Sequence, residues 1–171
     1  EGMAQKLGQP VETGRQLLRH HRNCYQDFWK WNHDTVAAAI LTQEMQTVMG
    51  WKMKVPPRID AQQGPNMRSL ANFPMQANGS EMLRVAVIKA NQLGVEICAT
   101  VHDALLIQAP INKIDKATAD TQQAMEEASE LILKDFRLKT DVELSIKWPQ
   151  RFFDERGSGM WEKIMKLLPQ L

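Results

Sequence analysis

Apolar positions recur along this chain with two periods, one helical and one strand-like, and the places where the period changes divide it into elements. Helical patterning begins at Gln9-Pro10-Val11-Glu12, where Pro10 suits an early helical position and Glu12 favours the positive end of the helix dipole. Leu17, Leu18, Cys24, Tyr25 and Phe28 follow at helical spacing. Asn32-His33-Asp34 predicts an interruption, and Val36 to Val48 predicts a second helix, with Ala37, Ile40, Leu41, Glu44, Met45 and Val48 in register and Gly50 as its stop. Trp51 to Val55 alternates as a short strand, and residues 56–65, with Pro56-Pro57 and Gly64-Pro65, read as a loop. A long helical segment from Asn66 to about Leu93 is expected to break or kink near Pro74 and to close at Gly94.

Beyond Gly94, two apolar runs of β-type residues, Val95 to Val101 and Ala104 to Ala109, enclose the polar pair His102-Asp103. This is the pattern of a hairpin displaying a carboxylate. An ionised Asp at the tip of an apolar ladder is costly unless a metal, a cation or backbone donors meet it. Ordinary turn chemistry accounts for the same residue equally well. Ile111 to Lys134 carries one apolar stripe (Ile114, Ala117, Met125, Ala128, Leu131, Ile132), as an amphipathic helix does. Val142 to Trp148 alternates strictly and is expected to join the hairpin's sheet through Val142, Leu144 and Ile146, and Met160 to Leu168 predicts a short docking helix. Strands mixed with helices, without regular βαβ repetition, predict an antiparallel α+β layer.

Arg68, Asn72 and Gln76 lie at intervals of four on the long helix and so share one face within roughly 80°. A stripe of donors and acceptors with little net charge fits base edges and sugars in a minor groove, where width matters more than sequence. A solvent-facing polar stripe has the same spacing. Composition narrows the field only slightly. Lys plus Arg number 21 against 20 Asp plus Glu, a net charge of +1, so any contact with a polyanion must come from local clustering. Arg15, Arg19, His20, His21 and Arg22 form one such cluster, for which a solvated face is the commoner explanation. Two distant cysteines, Cys24 and Cys98, without paired spacing suggest a reduced, cytoplasmic setting, and the apolar runs are too short to span a bilayer. The chain starts Glu1-Gly2-Met3, which suggests a piece of something longer.

The segment Arg68-Ser-Leu-Ala-Asn72-Phe-Pro74-Met75-Gln76-Ala-Asn-Gly-Ser-Glu-Met-Leu-Arg84, followed by Val101-His102-Asp103-Ala104-Leu105, closely resembles the C-terminal palm of the A-family DNA polymerases, of the bacterial repair type and its phage relatives. Ala4 to Trp31 resembles the helical segment that follows that family's nucleotide-binding helix, and Trp161 its terminal element. The resemblance implies an antiparallel palm sheet with a catalytic β-hairpin packed against several long helices, divided into a helical segment 1–50 and a palm 51–171. It implies that Asp103 is the second of two catalytic aspartates holding two Mg²⁺ ions, that His102 positions the primer terminus, and that Arg68, Asn72 and Gln76 grip primer and template from the minor groove. The implied partners are primer-template DNA, deoxynucleoside triphosphates and the upstream fingers, palm and thumb of the same polypeptide, with no membrane.

Two departures qualify what the resemblance implies. Ala104 stands where many members place Glu, and the first catalytic Asp and the triphosphate-gripping helix would lie before Glu1. The parent protein is therefore expected to add deoxynucleotides to a primer 3′ end, and the isolated fragment is expected to be inactive. A noncatalytic DNA-binding or assembly module is the alternative. A metal-dependent phosphohydrolase pairing His33-Asp34 with His102-Asp103 is a further one, disfavoured because the second pair sits between strands.

Overall fold

The computed structural model describes residues 2–57, 64–147, 149–150 and 155–168. Its elements are α1 (Gly2–Lys6), α2 (Val11–Cys24), α3 (Gln26–Thr42), β1 (Glu44–Gln46), β2 (Lys52–Lys54), α4 (Met67–Gln92), β3 (Glu96–Val101), β4 (Ala104–Gln108), α5 (Ile114–Leu133) and α6 (Ser158–Leu167). The class is α+β, with helices around two separate antiparallel hairpins, β1–β2 and β3–β4.

Helix α3 runs unbroken through Asn32-His33-Asp34, contrary to the interruption expected there. None of the three is a helix breaker in the sense that Pro is, and tertiary contacts outweigh their modest propensities. Lys30 pairs with Asp34 one turn on at 3.5 Å, and the Asn32 amide donates to the Ala71 carbonyl of α4 at 3.2 Å. The helix then ends earlier than its apolar spacing predicts. Gln43 adopts a left-handed conformation (φ 56°), and the chain turns into β1. Glu44, Met45 and Val48 fit a helical register, but strand pairing with β2 prevails because it buries Met45 opposite Met53. Met45 joins Ala39, Val55 and Leu70 in one core, flanked by Val36, Ile40, Met53 and Phe73.

Helix α4 starts at Asn66, whose side chain accepts from the backbone N–H groups of Arg68 and Ser69. The helix continues through Pro74, where a break or kink was expected. Asn78 donates to the Pro74 carbonyl at 2.7 Å, adding a tie across the turn that follows the proline. The C-terminus closes as expected at Gly94 (φ +78°), with Gly94 N–H donating to Asn91 O and Val95 N–H to Ala90 O. Only glycine takes that left-handed position at no steric cost. The chain is thereby delivered straight into β3.

Ala90, Val95 and Ala124 are buried together, with Ile97 and Ile107 of the hairpin against them. Small residues on α4 (Ala86, Ala90) and α5 (Ala124, Ala128) let the two helices approach closely. After α5 the chain does not pair as a strand. Residues 142–147 form no ladder, and Val142, Leu144 and Ile146 are 40–56% exposed, which corrects the expected third strand. Trp148 lies outside the described residues. The physical reason is upstream, where α5 side chains capture the approach: buried Ser129 accepts from Leu138 N–H at 2.8 Å and Gln122 donates to Thr140 O at 2.8 Å. Backbone bound to a helix in this way is not aligned with the hairpin edge. Helix α6 forms where expected, with Met160, Trp161 and Leu167 exposed. No described helix is long and apolar enough to cross a membrane.

Candidate functional site

His102 and Asp103 form the two-residue connection of the β3–β4 hairpin, closed by the Val101↔Ala104 pair. His102 has φ 54°, whereas Asp103 is not among the residues with positive φ. Positive φ at the first central position of a two-residue loop normally selects glycine. Holding a histidine there costs on the order of 1–3 kcal/mol, and strain of this kind gathers at functional sites. A bulge at Cys98 lies between the Ile97↔Ile107 and Ala99↔Leu106 pairs. It shifts the strand by one residue and so decides which face each side chain near the turn takes.

Both side chains at the turn are exposed, and no described residue bonds to them. Asp103 is open to solvent, so burial does not require a cation beside it, contrary to the expectation from its apolar flanks. Ala104, next to them, is half-buried.

Arg68, Asn72 and Gln76 lie on the exposed face of α4, as their spacing predicts, and their side chains make no hydrogen bond or ion pair with described residues. The opposite face carries Leu70, Ala77 and Glu81 into the interior. The polar stripe and the hairpin turn thus belong to different elements, coupled through the Ala90–Val95–Ala124 core.

Glu81, only 2% exposed, escaped the sequence reading. Its carboxylate accepts from Met49 N–H at 3.3 Å and from Arg84 at 3.2 Å, while Asn78 accepts from Val48 N–H at 2.9 Å. Together they hold the β1–β2 turn onto the helix that carries the stripe. The signal was available: positions 70, 77 and 81 share one helical face, so the core face of α4 contains a carboxylate that needs partners.

Among the described residues no three His, Cys, Asp or Glu side chains gather as a metal-holding group. Asp103 belongs to no such group among the described residues. His33-Asp34, inside α3, does not join His102-Asp103 in such a group, and Asp34 is engaged by Lys30. The paired-metal arrangement needed for a phosphohydrolase is absent from the described residues.

The chain is similar to known proteins over most of its length. The sequence profile of DNA polymerase family A matches residues 1–150. The thermostable DNA polymerase I of Thermus thermophilus is 22% identical over 153 residues, which is 85% of this chain and 18% of that one. DNA polymerase I of Deinococcus radiodurans is 23% identical over 136 residues (75% and 14%), and that of Lactococcus lactis 24% over 157 (86% and 17%). The chain spans less than a fifth of the length of these relatives. A similar fold occurs in the POL domain of Pol1 from M. smegmatis, solved in complex with DNA primer-template and dNTP, with a TM-score of 0.63 and 21% identity over 74% of this chain and 24% of that one. With the profile covering most of its length, the chain belongs to DNA polymerase family A.

Proposed function

We propose that this chain is the C-terminal part of a DNA polymerase domain whose whole adds deoxynucleotides to a primer 3′ end under template direction, in the cytoplasm. The observation that carries the reading is the His102-Asp103 pair, without a bonding partner among the described residues and held in a strained turn within a chain whose residues 1–150 match family A. Large apolar side chains stay exposed on the hairpin, α5 and α6, such as Val101, Leu131 and Trp161, and are available to upstream polypeptide as a partner.

In this reading α4 lays Arg68, Asn72 and Gln76 along the minor groove of the primer-template, where donors meet base acceptors shared by all correct pairs. His102 holds the primer terminus. Asp103 is one carboxylate of a metal site that the described residues do not complete, the other ligands coming from the upstream polypeptide. Two Mg²⁺ ions bound there would supply Lewis-acid stabilisation of phosphoryl transfer. The residues present fix the position of the carboxylate and the duplex and do not by themselves perform the reaction.

The test is primer extension by the intact protein carrying these residues, with deoxynucleotides and Mg²⁺, beside the same assay on residues 1–171 alone. Extension by the intact protein and none by the fragment is expected. Retained primer-template binding without extension by the intact protein would favour the noncatalytic DNA-binding module, a reading supported by the lack of a three-ligand group among the described residues.

A further inference from the structure

The arginines of α2 are a sequence feature that the polymerase reading leaves unused. Arg15, Arg19 and Arg22 stand at i, i+4 and i+7 and share one face of the helix. Arg15 and Arg19 are held by Glu12, whereas the Arg22 guanidinium lies over the Trp29 ring, 4.8 Å from its centroid. Trp29 is one of a connected set of rings. His21 packs on Tyr25 (4.7 Å) and on Trp29 (5.9 Å), Trp29 on Phe28 (5.7 Å), and Phe28 on Trp31 (6.0 Å). Trp29 Nε1 donates to His21 Nδ1 at 3.0 Å, which fixes the orientation of both. The set is not core, since Tyr25, Phe28 and Trp31 are 41–58% exposed.

We propose that this ring-and-arginine face binds an unpaired nucleic-acid strand, its bases stacking on Tyr25, Phe28 and Trp31 and its phosphates meeting Arg22. Aromatic platforms beside cations are how single strands are held without sequence preference, because every base offers a π-face. Charge selects the occupant. A protein segment covering the rings would have to desolvate the Arg22 guanidinium or bring a carboxylate to it, whereas a phosphate backbone carries an anion at every step.

Position agrees with chemistry. A groove of about 440 Å³ runs from Arg22, Trp29 and His33 to Met67 and Ala71 of α4, the neighbours of Arg68 and Asn72. A strand leaving a duplex held by α4 would reach the ring set through this groove at Trp29, the ring that packs on Phe28, whereas Trp31 borders a separate hollow with Asp27, Lys30 and Asp34. That continuity rests on the proposed polymerase reading, but the affinity of the face for a free single strand does not.

The test uses the intact protein with a labelled oligothymidylate of about ten nucleotides, and a blunt duplex as the second probe. Tyr25→Ala and Trp31→Ala should each weaken oligothymidylate binding about fivefold or more. Tyr25→Phe should restore it, and Arg22→Gln should flatten its dependence on salt. Blunt-duplex binding should be untouched by these changes and weakened by Arg68→Ala. Tryptophan fluorescence should be quenched by the oligothymidylate. Unchanged oligothymidylate affinity in Trp31→Ala and Arg22→Gln overturns the proposal, as does fluorescence that is already solvent-shielded and insensitive to the strand, which would place polypeptide on the rings. If the protein fails to extend primers but keeps ring-dependent oligothymidylate binding, the polymerase reading fails and this one stands.

Discussion

Arg68, Asn72 and Gln76 have open side chains on an otherwise well-anchored helix, so the DNA contacts proposed for them can be tested by single substitutions. Arg68→Ala in the intact protein should remove a charged hydrogen bond worth about 1.5–3 kcal/mol, felt mainly as slower incorporation because the bond holds the terminal pair in line for attack. Gln76→Ala should cost less and should change discrimination against mismatched termini, whose minor-groove acceptors are displaced. Extension rates from matched and mismatched termini check both. Rates like the wild type for both variants on both termini would make the stripe mere surface. At this scale the stripe was legible in the sequence because fixed spacing on a helix sets a common face. The exposure of Asp103 was not legible, because the apolar composition of β3 and β4 suggested burial that the isolated hairpin does not provide.

Among the elements, α4 is the scaffold, joined to the β1–β2 turn by Glu81 and Asn78 and to α5 by Lys89–Glu127 at 2.7 Å. Glu81→Ala removes the carboxylate to which Met49 N–H and Arg84 donate and should lower unfolding stability by about 0.5–1.5 kcal/mol. Glu81→Gln, which still accepts from that N–H, should lose less. Denaturant midpoints for the two variants test the order.

The Glu127 carboxyl lies below its ordinary value, first through the hydrogen bond from Lys89, then that from Gln123, then the Lys89 charge. A carboxylate with a depressed folded pKa contributes stability that is fully present above its unfolded value and lost as pH falls through the folded one. Wild type should therefore lose its advantage over Glu127→Gln as a stability titration runs down through the acidic carboxylate range. A constant difference between the two across that range would remove the pair from the α4–α5 joint. The helices α5 and α6 and the hairpin were visible as periods, and α2 was visible as far as Cys24, but its end at Tyr25 was not, because Tyr25 and Phe28 continue the same apolar spacing. The β1–β2 hairpin and the unpaired 142–147 segment were not, because Met45 fits both a helical and a strand register, and because strict alternation at Val142, Leu144 and Ile146 marks a strand face without saying whether an edge awaits it.

For the whole molecule, family membership and fold class were legible from two short segments, while completeness of the chemistry was not. One carboxylate on a hairpin turn is half an argument, and the apolar surface left open on α5, α6 and the hairpin is where the remainder of the polypeptide is proposed to dock. Single-turnover nucleotide incorporation by the intact protein carrying Asp103→Asn, measured beside primer-template affinity, decides whether Asp103 is the metal ligand proposed for it. Loss of a direct metal ligand should raise the barrier by several kcal/mol while leaving the ground-state complex intact, so incorporation should all but vanish with binding unchanged. Incorporation above about one-tenth of the wild-type rate, a barrier change of only about 1.4 kcal/mol, would contradict it.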